Sequence, residues 1–260
     1  MVQKGIISNN TSSTDNINVV DEWKFIGLAH RKYRRVWLNI DAILDMCDTN
    51  FQRNKVLCIK VDVEEIDSEE QLLIHRSLHA FIGIHGAQLT QGVLLQNHSH
   101  VLELLPWIPS YLTQGDWVST THCPTPIGVI FSKSQLNHLG YPLDRESVPL
   151  CQHVDRSDEE GEKACFLNKT SHIQGDKIGG KSSTIGQFKW DVRNFIVAPN
   201  VIEDFILYVL QNDEKRSSAI LCEDMQKRAE EHNFVLYNAY CKEDMNQTGF
   251  ITRQYYRKKR

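Results

Sequence analysis

The sequence predicts an α/β protein built on a Rossmann-like, doubly wound and mostly parallel sheet. Three observations predict it. Short apolar runs of β-favouring residues recur at Lys24–Ala29, Val56–Val61, Phe81–Ile84 and Val101–Leu105, with helically spaced apolar residues between them. The alternation is compressed into about eighty residues, and right-handed β–α–β crossovers of that length imply a parallel sheet. The stretch FIGIHGAQLTQGVLL (Phe81–Leu95), followed by HVLELLPW (His100–Trp107), reads as buried strand, tight turn, helix and second buried strand.

Each element has its own reason. Residues 1–21 are polar, rich in Asn, Ser and Thr, and are expected to be a disordered segment. The strand at Lys24–Ala29 leads into a basic loop, His30–Arg35, which is a solvated surface on one reading and a phosphate contact on another. Asn39 is placed to cap a helix with apolar positions Ile40, Ile43, Leu44 and Cys47. After the strand at Val56–Val61, the acidic run from Glu64 to Glu70 suits a helix start, and Leu72, Leu73, Arg76 and Leu78 belong to the helix that follows. Asp62-Val63-Glu64 has the spacing of a D-x-D metal site but no supporting context, so no metal is expected there.

Further on, Ile127–Phe131 reads as a strand, and residues 144–187 lack apolar periodicity and are expected to be a flexible insertion. Asn200-x-x-Glu203 is a capping-box pattern ahead of an apolar stripe, Val201 to Leu210. Cys222–Glu231 reads as a helix, Phe234–Tyr240 as a strand, and Tyr255–Arg260 as a basic tail. The expected division is a nucleotide-binding domain over 22–212 and a helical extension with its tail over 213–260.

Composition narrows the function classes. The chain has 260 residues, 41% of them hydrophobic, enough to bury a substantial core. A net charge of −4 carries no nucleic-acid footprint. No apolar run approaches the ~20 residues that span a bilayer, and Met1–Ser13 has no apolar signal-peptide core. Seven cysteines include no C-x-x-C pair, and Cys151 with Cys165 could close a loop in an oxidising compartment. Sequons at Asn10, Asn97, Asn168 and Asn246 point weakly to a luminal location.

The chemistry concentrates at His85-Gly86. Amides in the first turn of a helix lack intrahelical acceptors and sit at the positive end of the dipole, so an anion such as a diphosphate suits that junction. Gly86 lets the backbone approach closely, and His85 adds a donor or a positive charge, unless it is simply packed. Glu103, a carboxylate inside an apolar strand, needs a partner: a salt bridge with Arg35 or Arg76, or a ligand at the strand end. Trp107 or Tyr111 could pack on a base or fill the core.

Strand, HGA-x-LT (His85 to Thr90), apolar helix, and a strand ending E-L-x-P (Glu103 to Pro106) resembles glycosyltransferase family 61. That family includes the extracellular O-linked GlcNAc transferase and plant xylosyl- and arabinosyltransferases. AHRKYRRVWLN (Ala29–Asn39) is similar to its R-x-x-x-x-R-x-x-x-N segment; Arg35 and Asn39 match, and His30 stands at the first arginine with Arg31 beside it. Gln71 stands where the family has its D/E-Q-L/I helix, and Gln88 where many relatives carry a small residue. The similarity covers about Lys24–Pro106 and weakens towards Gln211.

The resemblance implies the carboxyl-terminal, donor-binding half of a GT-B glycosyltransferase. It would hold a UDP-sugar through His85, Gly86, Ala87, Arg35, Asn39, Gln71 and Glu103, with Glu103 on a ribose hydroxyl and no metal required. The expected reaction is inverting transfer to a hydroxyl of a glycoprotein or polysaccharide in the endoplasmic reticulum or Golgi lumen, with no residue assigned as the catalytic base. No upstream stretch could form the acceptor half. The alternative expectation is therefore a donor-half fragment or a nucleotide-sugar-binding module, with a partner chain supplying the acceptor side.

Overall fold

The computed structural model describes residues 23–32, 35–62, 64–107, 126–131, 134–148, 157, 160–161, 194–213, 220–244 and 247–252. The strands are β1 (Lys24–His30), β2 (Val56–Asp62), β3 (Ala80–Ile84), β4 (His100–Leu105), β5 (Asn137–Pro142), β6 (Val235–Asp244) and β7 (Gln247–Thr252). They form one sheet in the order β2-β1-β3-β4-β5-β6-β7. The first five pair in parallel, and β6 and β7 are antiparallel. The parallel part has the doubly wound order 2-1-3-4-5, which reverses direction between β1 and β3.

Helices cover both faces, which is why the strands are nearly continuous apolar runs. On one face α1 (Ile40–Phe51), α4 (Pro199–Asn212) and α5 (Cys222–Glu231) pack Ile43, Ile202, Phe205 and Met225 against Ile26, Leu28, Ile82, Leu102 and Leu104. On the other face Leu78, Leu89, Leu95, Ile127 and Phe131 close over Ala29, Val61, Phe81 and Val101. Alternation along each strand sends neighbouring residues to opposite cores.

Several expectations change. Ile127–Phe131 is not a strand: Pro126–Phe131 is a short helix, α3, whose Ile127 and Phe131 are buried at helical spacing. The fifth parallel strand is Asn137–Pro142, where Asn, Gly and Pro hide the usual strand signature. Helix α2 (Ser68–Ser77) is capped by Asp67, which accepts from the Glu69 and Glu70 amides. It exposes Leu72 and Leu73 and buries His75. Asn200 does not cap α4: Ala198 is the N-cap and Pro199 the first helical residue, where a missing N–H costs nothing. Glu203 instead accepts from Asn50.

Helix α5 matches its expected bounds, and β6 and β7 carry the segment after it into the same sheet. Two disulfides tie helices to strands: Cys47–Cys58 joins α1 to β2, and Cys222–Cys241 joins α5 to β6. Cys151 and Cys165, which could close a loop, the basic tail and most of the expected insertion lie outside the described residues. No described helix is long and apolar enough to cross a membrane.

Candidate functional site

In a doubly wound sheet, a crevice opens beyond the carboxyl ends of the strands where the order reverses. Here that point lies between β1 and β3, and the basic loop and the His85-Gly86 turn both emerge there. Gly86 has φ +148° and ψ 174°, a backbone region essentially reserved for glycine. A Cβ at Gly86 would overlap the Arg35 guanidinium and lie 3.8 Å from Arg31 Nη2. Two cationic side chains therefore converge on a turn that only glycine can make.

The surroundings fix those groups. Arg35 Nη1 donates to the His85 carbonyl, and Arg35 itself has φ +54°. Arg31 Nε donates to Gln88 Oε1, while Gln88 Nε2 donates to the His30 carbonyl at 2.9 Å, so the buried Gln88 clamps the end of β1 to the turn after β3. His30 Nδ1 lies 2.6 Å from Asp62 Oδ1 at the end of β2. This draws Asp62 into the sheet's own network.

The helix after Gly86 is not α-helical. Ala87–Leu94 is a 3-10 helix, with Leu89 N donating to Gly86 O at 2.9 Å. Its tighter turn still directs the Ala87 and Gln88 amides ahead of the first intrahelical bond.

Asn39 and Gln71 each tie neighbouring segments of the chain together. Asn39 makes no side-chain cap of α1; its Oδ1 accepts from Trp37 Nε1 and Val197 N, and its Nδ2 donates to Val197 O. With Asn194 Oδ1 accepting from Val36 N, and Phe195 bridging Val36 and Leu38 through the backbone, it pins the segment carrying Arg35 to residues 194–197. Gln71 Nε2 donates to Ile66 O, and its Oε1 accepts from Gln91 Nε2, linking α2 to the 3-10 helix.

Glu103 is buried within β4. Its Oε1 faces His85 Nδ1 and its Oε2 lies 2.9 Å from His138 Nε2. Burial is the largest single effect on its pKa and acts upward. The hydrogen bonds from His138 and His85, and the attraction of either ring when it is protonated, outweigh it and hold the carboxyl at about 2, against an ordinary 4.5. His138 escaped the sequence reading because β5 did. Trp107 is half-buried, and Tyr111 lies outside the described residues. No group of three or more potential metal ligands occurs among the described residues.

No family model matches the chain. Over 146 residues it is 26% identical to an alpha-1,3-arabinosyltransferase of Oryza sativa subsp. japonica, a match covering 51% of this chain and 24% of that protein. The chain spans about a quarter of the length of that relative. It is a distant relative of a glycosyltransferase. The match supports a transferase role in general terms.

Proposed function

We propose that the chain binds a nucleotide sugar, specifically a UDP-sugar, in the β1/β3 crevice, as the donor side of a family 61-like, GT-B-type glycosyltransferase. The observation that carries this reading is the convergence of Arg31, Arg35 and His85 on Gly86 at the switch point of the sheet. In an inverting transfer, a hydroxyl of a protein or polysaccharide acceptor attacks the anomeric carbon opposite the diphosphate. Negative charge then builds on the phosphate oxygens. Two guanidinium groups, His85 and the Ala87 and Gln88 amides are preorganised donors for that charge. These cations are side chains, so the reading needs no metal.

The two disulfides support work in an oxidising compartment such as the endoplasmic reticulum or Golgi lumen, and the exposed Asn97 of the Asn97-His98-Ser99 sequon is compatible with it. A second reading is a nucleotide-sugar-binding module that acts with a partner chain supplying the acceptor side. It is favoured because the basic side chains gathered here among the described residues, Arg31, Arg35 and His85, would all serve the leaving group.

Titration calorimetry with UDP and UDP-sugars tests the binding. Arg35→Ala should cost about 1.5–3 kcal/mol, roughly tenfold or more, as for one lost charge-assisted contact. Absence of heat with any UDP-sugar at millimolar concentration removes the donor-site reading. Binding without sugar release in the presence of acceptor glycans selects the module.

A further inference from the structure

Glu103 is the centre of a buried polar line. Its register neighbours are Gly83 on β3 and Gly140 on β5, so neither adjacent strand places a side chain over it. A Cβ on Gly140 would run into the ring of Tyr237, which occupies that space and packs 4.9 Å from His138. Phe131 closes the other side of His138, also at 4.9 Å. Glu103 and His138 have no exposed side-chain surface, whereas His85 retains 15%. The line therefore runs from an enclosed end at His138, through the carboxylate, to a solvent-accessible end at His85.

An ionised carboxylate only accepts hydrogen bonds, so both rings must donate to it: His138 through Nε2–H and His85 through Nδ1–H. His138 Nδ1 has no hydrogen-bond partner among the described residues, and His138 Nε2, which lies 2.9 Å from Glu103 Oε2 without a well-aligned hydrogen bond, has that carboxylate as its ion-pair contact. The opposite nitrogen of His85, Nε2, points away from the carboxylate by ring geometry alone.

We propose that Glu103 and His138 are positioning residues that fix the ring and the Nδ1–H proton of His85, so that His85 Nε2 is the atom presented to the diphosphate of the ligand. The ligand in this statement rests on the nucleotide-sugar reading; the ring assignment does not. A phosphate oxygen needs a donor, so on binding Nε2 takes a proton from solvent and donates it as Nε2–H. The resulting charge lies between Glu103 and the diphosphate. The Arg35 and Arg31 guanidinium groups face the same turn and contribute to holding the same anion.

The test uses ligand-free and ligand-bound protein. Imidazole nitrogen NMR on the free parent should show His85 protonated at Nδ1. In Glu103→Gln the side chain offers one acceptor and one donor, so one ring must change tautomer. His85 changes, because its Nε2–H can reach water whereas an Nδ1–H on His138 would be buried between two rings. Glu103→Gln should weaken UDP and inorganic pyrophosphate alike, each about tenfold, because a charge-assisted bond is roughly twice as strong as a neutral one, and should leave uridine unaffected. His138→Gln, whose amide still donates to Oε2, should keep the parent's tautomer and affinity, whereas His138→Leu should not. An unchanged His85 tautomer in Glu103→Gln, or uridine weakened as much as pyrophosphate, overturns the proposal; equal behaviour of the two His138 variants overturns the part given to His138. If the tautomer changes as expected but neither UDP nor pyrophosphate binds the parent, the ring assignment stands and the donor-site reading falls.

Discussion

His100 should make this protein acid-sensitive well above the carboxylate range. It begins β4 fully buried, edge-on to Tyr208 with ring centroids 5.7 Å apart. Neither ring nitrogen has a partner among the described residues. Burial first, and then the charges of His79, His98 and Lys24, lower its pKa from 6.5 to about 3. The folded state therefore keeps His100 neutral between about pH 3 and 6.5, while the unfolded chain binds a proton there. Unfolded protein binds more protons, so stability falls as pH drops through 6.5. With these two values, linkage gives about 2 kcal/mol lost by pH 5 relative to pH 7.5.

His75, also lowered by burial, contributes in the same direction, so the isolating perturbation is His100→Phe, which preserves a flat ring against Tyr208. Urea unfolding of parent and variant at pH 7.5 and pH 5 supplies the four free energies. The parent should lose about 2 kcal/mol more than the variant between those pH values. Losses equal to within about 0.5 kcal/mol, the usual tolerance for independent effects, would refute the reasoning and place a proton acceptor next to His100 in the folded state.

Two further outcomes follow from local geometry. Gly86→Ala forces a Cβ into glycine-only backbone space and against the Arg35 guanidinium, so it should cost roughly 1–3 kcal/mol of stability and weaken UDP binding; a calorimetric titration matching the parent's would contradict this. The Cys47–Cys58 and Cys222–Cys241 bridges close spans of 11 and 19 residues. Loop-closure entropy assigns each about 3 kcal/mol, read as the change in unfolding free energy between parent and the Cys47→Ala/Cys58→Ala or Cys222→Ala/Cys241→Ala pair. Mass spectrometry that finds these four thiols free in native material would remove both terms.

What the sequence determined by itself was whatever hydrophobic periodicity records. The runs at Lys24–Ala29, Val56–Val61, Phe81–Ile84 and Val101–Leu105 became the first four parallel strands, and the Cys222–Glu231 stripe became a helix with those bounds, because burial on one or both faces leaves a local pattern. The His85-Gly86 turn was legible for the same reason: a strand, a glycine and an apolar stripe lie within fifteen residues of chain. Tertiary structure alone decided the rest. Asn137–Pro142 is a strand because β4 and β6 pair with it on either side, despite its Asn, Gly and Pro. Asn39 reaches Val197 rather than its own helix, and Glu103 meets His138 of β5. Apolar residues need only to be buried, which any core can satisfy. A polar group needs one acceptor or donor at a set distance and angle, and strand register between segments far apart in the chain is what supplies it.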